Sequence, residues 1–276
     1  MNIRKLISIL AVTALWGCSA STGTAAVQGL DALGEIHAVT READSGTRAS
    51  FDDLIGITAE SETLTVVNET DEVLDAVMND PKAIGYLSRQ AVDDTVKILN
   101  VDAKSVDDKT YPLTRSLYIV YKGELNDLEQ EFLTYCTGKG QDIVSESYET
   151  VGSASTFLSL KPKGSIKIGG SSSTAPLIQE LADAYEKFNP NADITVTTTD
   201  STDGINGALE GTYDLGMSSR VPKSYEKQLL TFTAIARDRI AVIVEKDNPL
   251  TEISAEQLKA VYTGSAVNWQ DLNSMN

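Results

Sequence analysis

Histidine and cysteine are almost missing from this chain of 276 residues, which has one histidine, His37, and two cysteines, Cys18 and Cys136. A zinc site built from several histidines or cysteines is therefore excluded, and so is a relay between two histidines. Aromatic residues are also scarce, at 6%. We expect the protein to hold no metal and no cofactor.

Basic residues are few compared with acidic ones, because 23 Lys and Arg face 40 Asp and Glu, for a net charge of −17. A chain this acidic has no electrostatic footprint for nucleic acid, so no nucleic-acid partner is expected. Any anion it binds must be held by local hydrogen bonds and dipoles against the overall charge. The length and the 41% hydrophobic content suit one two-lobed unit or two small domains.

No hydrophobic run is long enough to cross a membrane, since the longest apolar stretch near the start, residues 6–16, is shorter than the ~20 residues needed. Basic residues precede it, and it ends in Leu-Trp-Gly-Cys at Cys18, which resembles the bacterial lipobox. We therefore predict a lipoprotein signal peptide at 1–17, lipidation of Cys18, and a Ser/Thr/Gly/Ala-rich tether at 18–35. The protein would be lipid-anchored on the extracytoplasmic face of the cell membrane. The alternative is an ordinary secretory signal with a chance cysteine.

Beyond the tether, strand-like and helical patterns alternate along the chain, which predicts an α/β fold. Strands are expected near residues 36–40, 84–87, 117–120, 166–169, 194–197 and 239–245. Helices are expected near residues 48–55, 73–78, 125–136, 176–188, 205–209 and 254–262.

Three short loops rich in serine, threonine, aspartate and glycine lie between a predicted strand and a predicted helix, at residues 44–47, 170–174 and 200–204. A helix N-terminus offers unpaired N–H groups and about half a positive charge. Hydroxyls add neutral donors, and glycine lets the backbone approach a ligand closely. The three loops therefore predict a site for a small tetrahedral oxyanion, with Arg41 beside the first of them. Taken one at a time, each loop is more typical of a plain helix cap than of an anion site.

Longer motifs around these loops resemble the substrate-binding protein of the bacterial phosphate ABC transporter. Residues 164–177 (Gly-Ser-Ile-Lys-Ile-Gly-Gly-Ser-Ser-Ser-Thr-Ala-Pro-Leu) resemble its opening strand and first anion loop. Residues 213–220 (Tyr-Asp-Leu-Gly-Met-Ser-Ser-Arg) resemble a following strand and loop. Asn-Trp-Gln-Asp at 268–271 and Val-Thr-Arg-Glu-Ala-Asp-Ser-Gly-Thr-Arg at 39–48 resemble its middle sections.

The order of these motifs differs from the family's, in which the serine loop comes first and Ser-Gly-Thr-Arg follows Asn-Trp-x-Asp. The resemblance thus implies a circular permutation, with residues 152–164 joining the family's original ends. A fragment of a tandem array or a rearranged gene is the alternative explanation.

What the resemblance implies for the fold is α/β architecture of the two-lobed periplasmic-binding-protein type (type II), with the ligand cleft between the lobes. Lobe A would comprise residues 36–112 plus 238–272, and lobe B residues 113–237. Two strands would cross between the lobes, which would close on the ligand by a hinge motion.

For the site, the resemblance implies one set of ligand-binding residues in each lobe. The residues that match the family's motifs are Arg41, Ser45, Gly46 and Thr47 in lobe A, and Ser172, Ser173, Ser201 and Ser219 in lobe B. Ser219 stands where some family members have an aspartate, which would accept the proton of hydrogen phosphate and repel sulfate. Asp44, Asp200 or Asp203 could take over that role.

The implied function is that of a monomeric binding protein for inorganic phosphate, which would deliver it to an ABC transporter permease. The alternative is a binding or signalling module of the same fold for another oxyanion or ligand, without a transport role. No enzymatic activity is expected, since the chain has no Gly-x-Ser-x-Gly motif. His37 and Cys136 are interpreted as ordinary packed or surface residues, and Ser-x-x-Lys at 224–227 as a chance match.

Overall fold

The structure, a computed structural model, describes residues 29–275. Its strands are β1 His37–Arg41, β2 Thr65–Val67, β3 Ala83–Ser88, β4 Val96–Ile98, β5 Asn100–Val101, β6 Thr114–Tyr121, β7 Gly164–Ser171, β8 Ala192–Thr199, β9 Leu215–Ser218, β10 Thr231–Glu245 and β11 Glu252–Ile253. Its α-helices are α1 Gly46–Ile55, α2 Thr70–Met78, α3 Asp127–Thr137, α4 Gln141–Ser147, α5 Ala175–Phe188, α6 Ser201–Glu210, α7 Glu226–Leu229 and α8 Ala255–Thr263. Short 3-10 helices cover Leu30–Ala32, Arg89–Ala91 and Trp269–Met275.

The helix ends follow local sequence chemistry. Ser254 and Gln257 form a capping box that opens α8. Asp200 caps α6 by accepting a hydrogen bond from the Asp203 N–H, and Ser45 caps α1 by accepting one from the Arg48 N–H. Each predicted strand and helix is present, and the predicted α/β class is confirmed.

One long sheet runs through the molecule in the order β2-β1-β3-β10-β6-β9-β7-β8, with β4 also paired to β10. The outer pairs at both ends are parallel, whereas β10 is antiparallel to β3, β4 and β6. Strand β10 has 15 residues, a length of about 50 Å. Its first part pairs with β6 and its last part with β3 and β4, so β10 links the two halves of the sheet.

Two separate hydrophobic cores lie on either side of this link. One takes its residues from 33–113 and 240–272, and the other from 117–236. We use lobe A for the half around the first core and lobe B for the half around the second. A small third cluster of Val120, Ile205, Ala208 and Leu230 belongs to the lobe B side.

Parts of the predicted tether (18–35) and of the predicted linker (152–164) pack against the lobes. Within the range expected to be a tether, Leu33 is buried in the core of lobe A, and the Gly34 carbonyl accepts a hydrogen bond from the Trp269 N–H. These last residues of the expected tether are therefore folded, because an apolar side chain there reaches the core. Residues 153–163 have no regular secondary structure, and Phe157 packs against Tyr135 and Phe188.

Candidate anion site

The first of the three predicted loops lies in lobe A, between the end of β1 and the start of α1. Ser45 and Thr47 are both 3% exposed, and Gly46 is buried with them. Since the first N–H groups of a helix have no partner within it, this turn presents backbone donors together with the Thr47 hydroxyl. The turn faces lobe B: Thr47 Oγ1 donates a hydrogen bond to Ser173 Oγ at 3.4 Å.

The other two loops lie in lobe B, where α5 and α6 begin beside the ends of β7 and β9. Gly170 has a φ of +132°, and a Cβ on it would lie 2.8 Å from the Gly204 Cα. Only residues without a side chain allow the first turn of α6 to pack this closely on β7. This packing places Ser201, the first residue of α6, next to the serine loop that follows β7.

Four serine hydroxyls of lobe B form one buried cluster. Ser171 Oγ donates to Ser219 Oγ at 3.0 Å and lies 3.2 Å from Ser173 Oγ. The Ser219 N–H donates to Ser201 Oγ at 3.0 Å. All four residues are at most 4% exposed. The cluster therefore consists of neutral groups that can each donate a hydrogen bond, which suits an anion.

Gly46 of lobe A fits directly against this cluster. A Cβ on Gly46 would lie 2.6 Å from Ser219 Oγ and 2.8 Å from the Ser201 Cβ. The Ser50 hydroxyl, one helical turn later, donates to the Ser219 carbonyl oxygen at 2.8 Å. The N-termini of α1, α5 and α6 thus converge at the seam between the lobes.

Arg41 and Ser172 lie at the edge of this convergence. Arg41 is 2% exposed, and its guanidinium donates to Glu42 and, at 3.4 Å, to Ser172 Oγ. Thr70 Oγ1 lies 3.1 Å from the same serine hydroxyl and accepts from Arg41 Nη1 at 3.0 Å. The charge of Arg41 is therefore balanced locally by the carboxylate beside it.

All eight residues predicted from the sequence thus lie at or beside the lobe seam. Ser45 acts as the helix cap described above, and the other seven make or border contacts between the lobes. The predicted substitutes for a carboxylate at position 219 are placed elsewhere.

Asp44, Asp200 and Asp203 do not reach the serine cluster, and this expectation is wrong. Asp200 is engaged as the cap of α6, and Asp203 is exposed and accepts a hydrogen bond from the Tyr213 hydroxyl at 3.0 Å. Asp44 is exposed and meets Thr202 through its backbone carbonyl. In residues 29–275, the hydrogen bonds of the four clustered hydroxyls go to other hydroxyls and backbone groups, and none goes to a carboxylate.

Sequence reasoning missed Arg115, which lies on β6 and donates from Nη1 to Thr47 Oγ1 at 2.8 Å. It forms a buried ion pair with Asp238 of β10, with side chains 3% and 1% exposed. Burial raises the pKa of Asp238, while the charge of Arg115 and the hydrogen bonds from Arg115 and Ser88 oppose that shift. A signal for Arg115 exists in the sequence, since a charge interrupts the apolar face formed by alternate residues of this strand.

The remaining candidate residues lie away from the seam. His37 Nδ1 forms a largely exposed hydrogen bond with Asp80 Oδ2 at 2.6 Å, and the pKa of Asp80 is lowered because the hydrogen bonds from His37 and from the Lys82 N–H outweigh its burial. Cys136 is fully buried, and burial raises the pKa of its thiol. Residues 29–275 contain no group of three or more histidine, cysteine or acidic side chains that could hold a metal ion.

The N-terminal predictions concern residues outside the described part of the chain. Cys18, the signal peptide and most of the tether lie there. Among the described residues, no helix has both the length and the apolar character needed to cross a membrane.

Comparison with known proteins agrees with the fold and the family expected from the sequence. A family model described as the PBP superfamily domain matches residues 21–139 and 155–276. "Phosphate-binding protein PstS 2" of Streptococcus agalactiae serotype V is 34% identical over 292 residues, which cover 99% of this chain and 100% of that protein. A second relative, "Phosphate-binding protein PstS" of Staphylococcus haemolyticus, is 37% identical over 120 residues, 41% of this chain and 38% of its own.

A solved structure also matches over most of the chain. It is the crystal structure of a phosphate ABC transporter, phosphate-binding protein from Streptococcus pneumoniae TIGR4, with a TM-score of 0.70 and 34% sequence identity. The match covers 87% of this chain and 100% of that one. The two-lobed periplasmic-binding-protein-like fold expected from the sequence is confirmed. The chain belongs to the PBP superfamily and, within it, to the family of the phosphate-binding proteins of ABC transporters.

Proposed function

We propose that this protein is an extracytoplasmic, lipid-anchored binding protein for inorganic phosphate, which it delivers to an ABC transporter permease. The observation that carries the proposal is the convergence of three helix N-termini and a buried set of hydroxyls at the seam between two lobes. The names of the relatives, phosphate-binding proteins, agree with it.

The site would bind the anion through neutral donors and helix dipoles. Each helix N-terminus contributes N–H groups and about half a positive charge. Arg41 and Arg115 add guanidinium groups, but each is paired with a carboxylate. In a protein with a net charge of −17, these short-range donors let a dianion enter without a strongly positive surface.

Lobe A contributes Gly46 and Thr47, and lobe B contributes Ser173, Ser201 and Ser219, so the complete set of donors exists only when the lobes meet. The strands β6 and β10 run between the lobes and are the natural hinge. Phosphate would therefore stabilise the closed arrangement, and closure would bury it.

Selectivity for phosphate over sulfate rests on what accepts the proton of hydrogen phosphate. Ser219 offers a hydroxyl oxygen where a carboxylate would both accept this proton and repel fully ionised sulfate. The clustered hydroxyls of the described residues have no carboxylate partner. This observation favours, as a second candidate, a protein of the same fold that binds another tetrahedral oxyanion.

We further infer that the chain is a circular permutation of the common family order, with lobe A made of residues 36–112 and 238–272 and lobe B of residues 113–237. Two comparisons support this. The PstS 2 relative aligns over nearly all of both chains, so it shares the order of segments found here. The Staphylococcus relative aligns over about two fifths of each chain, as expected when an alignment can follow only one block of rearranged segments.

The membrane anchor is the lipid expected on Cys18. Several acyl chains would add roughly 0.8 kcal/mol of membrane affinity for each buried CH₂ group. Metabolic labelling with a fatty acid tests this part: the wild-type protein should carry the label and fractionate with membranes, and Cys18→Ala should do neither. A labelled Cys18→Ala protein would contradict it.

Equilibrium dialysis with radiolabelled phosphate tests the ligand. The chain from Ser19 onward, unfolded and refolded to remove bound ligand, should retain phosphate at micromolar concentrations as a monomer. Excess unlabelled phosphate should displace the label, and excess sulfate should displace less. A folded protein that retains no phosphate would refute the proposed function, and one that retains sulfate instead would favour the second candidate.

A further inference from the structure

Arg115 and Asp238 form a cross-strand ion pair in the part of the fold that connects the lobes. They face each other in the antiparallel register of β6 and β10. Both side chains are buried, and the Arg115 Nη2 to Asp238 Oδ2 distance is 2.8 Å. A buried pair in this place restrains the strands about which the lobes would move.

The carboxylate fixes the direction of the guanidinium. Asp238 Oδ2 accepts from both Nε and Nη2 of Arg115, at 3.0 and 2.8 Å, and Asp238 Oδ1 accepts from the Ser88 hydroxyl at 3.0 Å. Because the guanidinium group is planar, holding Nε and Nη2 also fixes the direction of Nη1, which is left with a single target. That target is Thr47 Oγ1, at 2.8 Å.

This contact decides what the Thr47 hydroxyl can do. A hydroxyl has one proton to donate and two lone pairs that accept. Because Arg115 Nη1 always donates, it occupies a lone pair and leaves the Thr47 proton for another acceptor. In the structure that acceptor is Ser173 Oγ of lobe B, at 3.4 Å, so the proton points across the seam.

We propose that Arg115 is a positioning residue of the anion site, which holds Thr47 as a hydrogen-bond donor to the bound phosphate. The inference rests on the proposed function, and extends it to a residue outside the three loops. Arg115 also connects the first turn of α1, through Thr47, to strands β6 and β10. Anion binding at Thr47 and movement of the lobes about these strands would therefore both act on the Arg115 side chain.

A double-mutant cycle on phosphate affinity tests this role. The pair Arg115→Gln with Asp238→Asn removes both buried charges together, so neither is left uncompensated. We expect it to weaken phosphate binding about tenfold or more in the otherwise wild-type chain, and less than about threefold in a Thr47→Val background. Equal losses in the two backgrounds would overturn the proposal, because a merely structural role does not depend on Thr47.

Two further variants separate orientation from charge and from packing. Arg115→Lys keeps the charge but has a single nitrogen, so it should lose about as much affinity as the charge-free pair. Ser88→Ala removes another hydrogen bond of Asp238 without touching Thr47, and should stay within about twofold of wild type. Wild-type affinity in Arg115→Lys would show that only the charge matters and would also overturn the proposal.

Thermal unfolding without phosphate shows which variants fold. If the charge-free pair does not fold, the cycle is completed with Arg115→Lys and Thr47→Val. If the wild-type chain binds no phosphate, the proposed function fails before any variant is compared. If it binds and the cycle is additive, only the role of Arg115 fails.

Discussion

Replacing Gly46 by alanine should separate anion binding from folding. Gly46 is the first residue of α1, and its would-be Cβ lies 2.8 Å from the Ser201 Cβ, where contacts of 3.4 Å or more are ordinary. The Ser201 Cβ is fixed by its backbone, so rotation of the hydroxyl cannot relieve the clash. Lobe A must therefore move away from lobe B at this point by at least about 0.6 Å.

Such a displacement lengthens every hydrogen bond from lobe A to an anion that lobe B also holds. A hydrogen bond of normal length that is stretched by this amount becomes marginal. Hydrogen bonds to a charged group contribute about 1.5–3 kcal/mol each, so losing two costs roughly 3–6 kcal/mol. We therefore expect Gly46→Ala to weaken phosphate binding by about a hundredfold or more.

The folded state should not suffer in the same way. Alanine is a better helix former than glycine by up to about 1 kcal/mol, and Gly46 has no positive φ that alanine would resist. Calorimetric titration with phosphate and thermal unfolding without it give the two readouts. Gly29→Ala is the matched control, because its Cβ would meet nothing within 4 Å. Wild-type phosphate affinity in folded Gly46→Ala would refute the role assigned to this close approach.

Three further predictions concern single side chains. Burial raises the pKa of Asp52 to about 6, so the energetic cost of its buried charge appears only as the pH rises through that value. Asp52→Asn should therefore stabilise the fold by about 1 kcal/mol at pH 7.5 and little at pH 4. Urea unfolding at the two pH values measures this difference, and an equal gain in stability at both would contradict it. Ser219→Asp should raise the preference for phosphate over sulfate at least about tenfold, because a carboxylate accepts the phosphate proton and repels sulfate. Competition titration measures the ratio of the two affinities, and an unchanged ratio would show that residue 219 does not determine selectivity. In the chain from Ser19 onward, the buried Cys136 thiol should react with a thiol reagent only after unfolding, and rapid labelling of the native protein would show otherwise.

Much of the fold follows from local patterns in the sequence. The apolar face of α5 and the capping residues of α1, α6 and α8 act within a few neighbouring residues, so they can be recognised without knowing the tertiary structure. The extent of β10 could not be predicted in this way. Its first part begins at Thr231, eight residues before the predicted strand, and is stabilised by pairing with β6, a contact between distant parts of the chain.

The site could be predicted only in part from the sequence, because it too depends on contacts between distant parts of the chain. The three loops carry their donors locally, and the family resemblance connected them. Arg115 and Asp238 lie far apart in the sequence, and only the strand register brings them together beside Thr47. Asp203 lies in the third loop, but its side chain turns outward to Tyr213, a direction that composition alone does not give.

The most direct test of phosphate binding at the lobe seam is a crystal structure of the chain from Ser19 onward grown with phosphate. We expect one tetrahedral anion between the lobes, about 3 Å from the N–H groups of Gly46 and Thr47 and from the hydroxyls of Ser173 and Ser201. An anion bound elsewhere, or a seam closed by direct serine contacts at a phosphate concentration that saturates binding, would contradict the assignment.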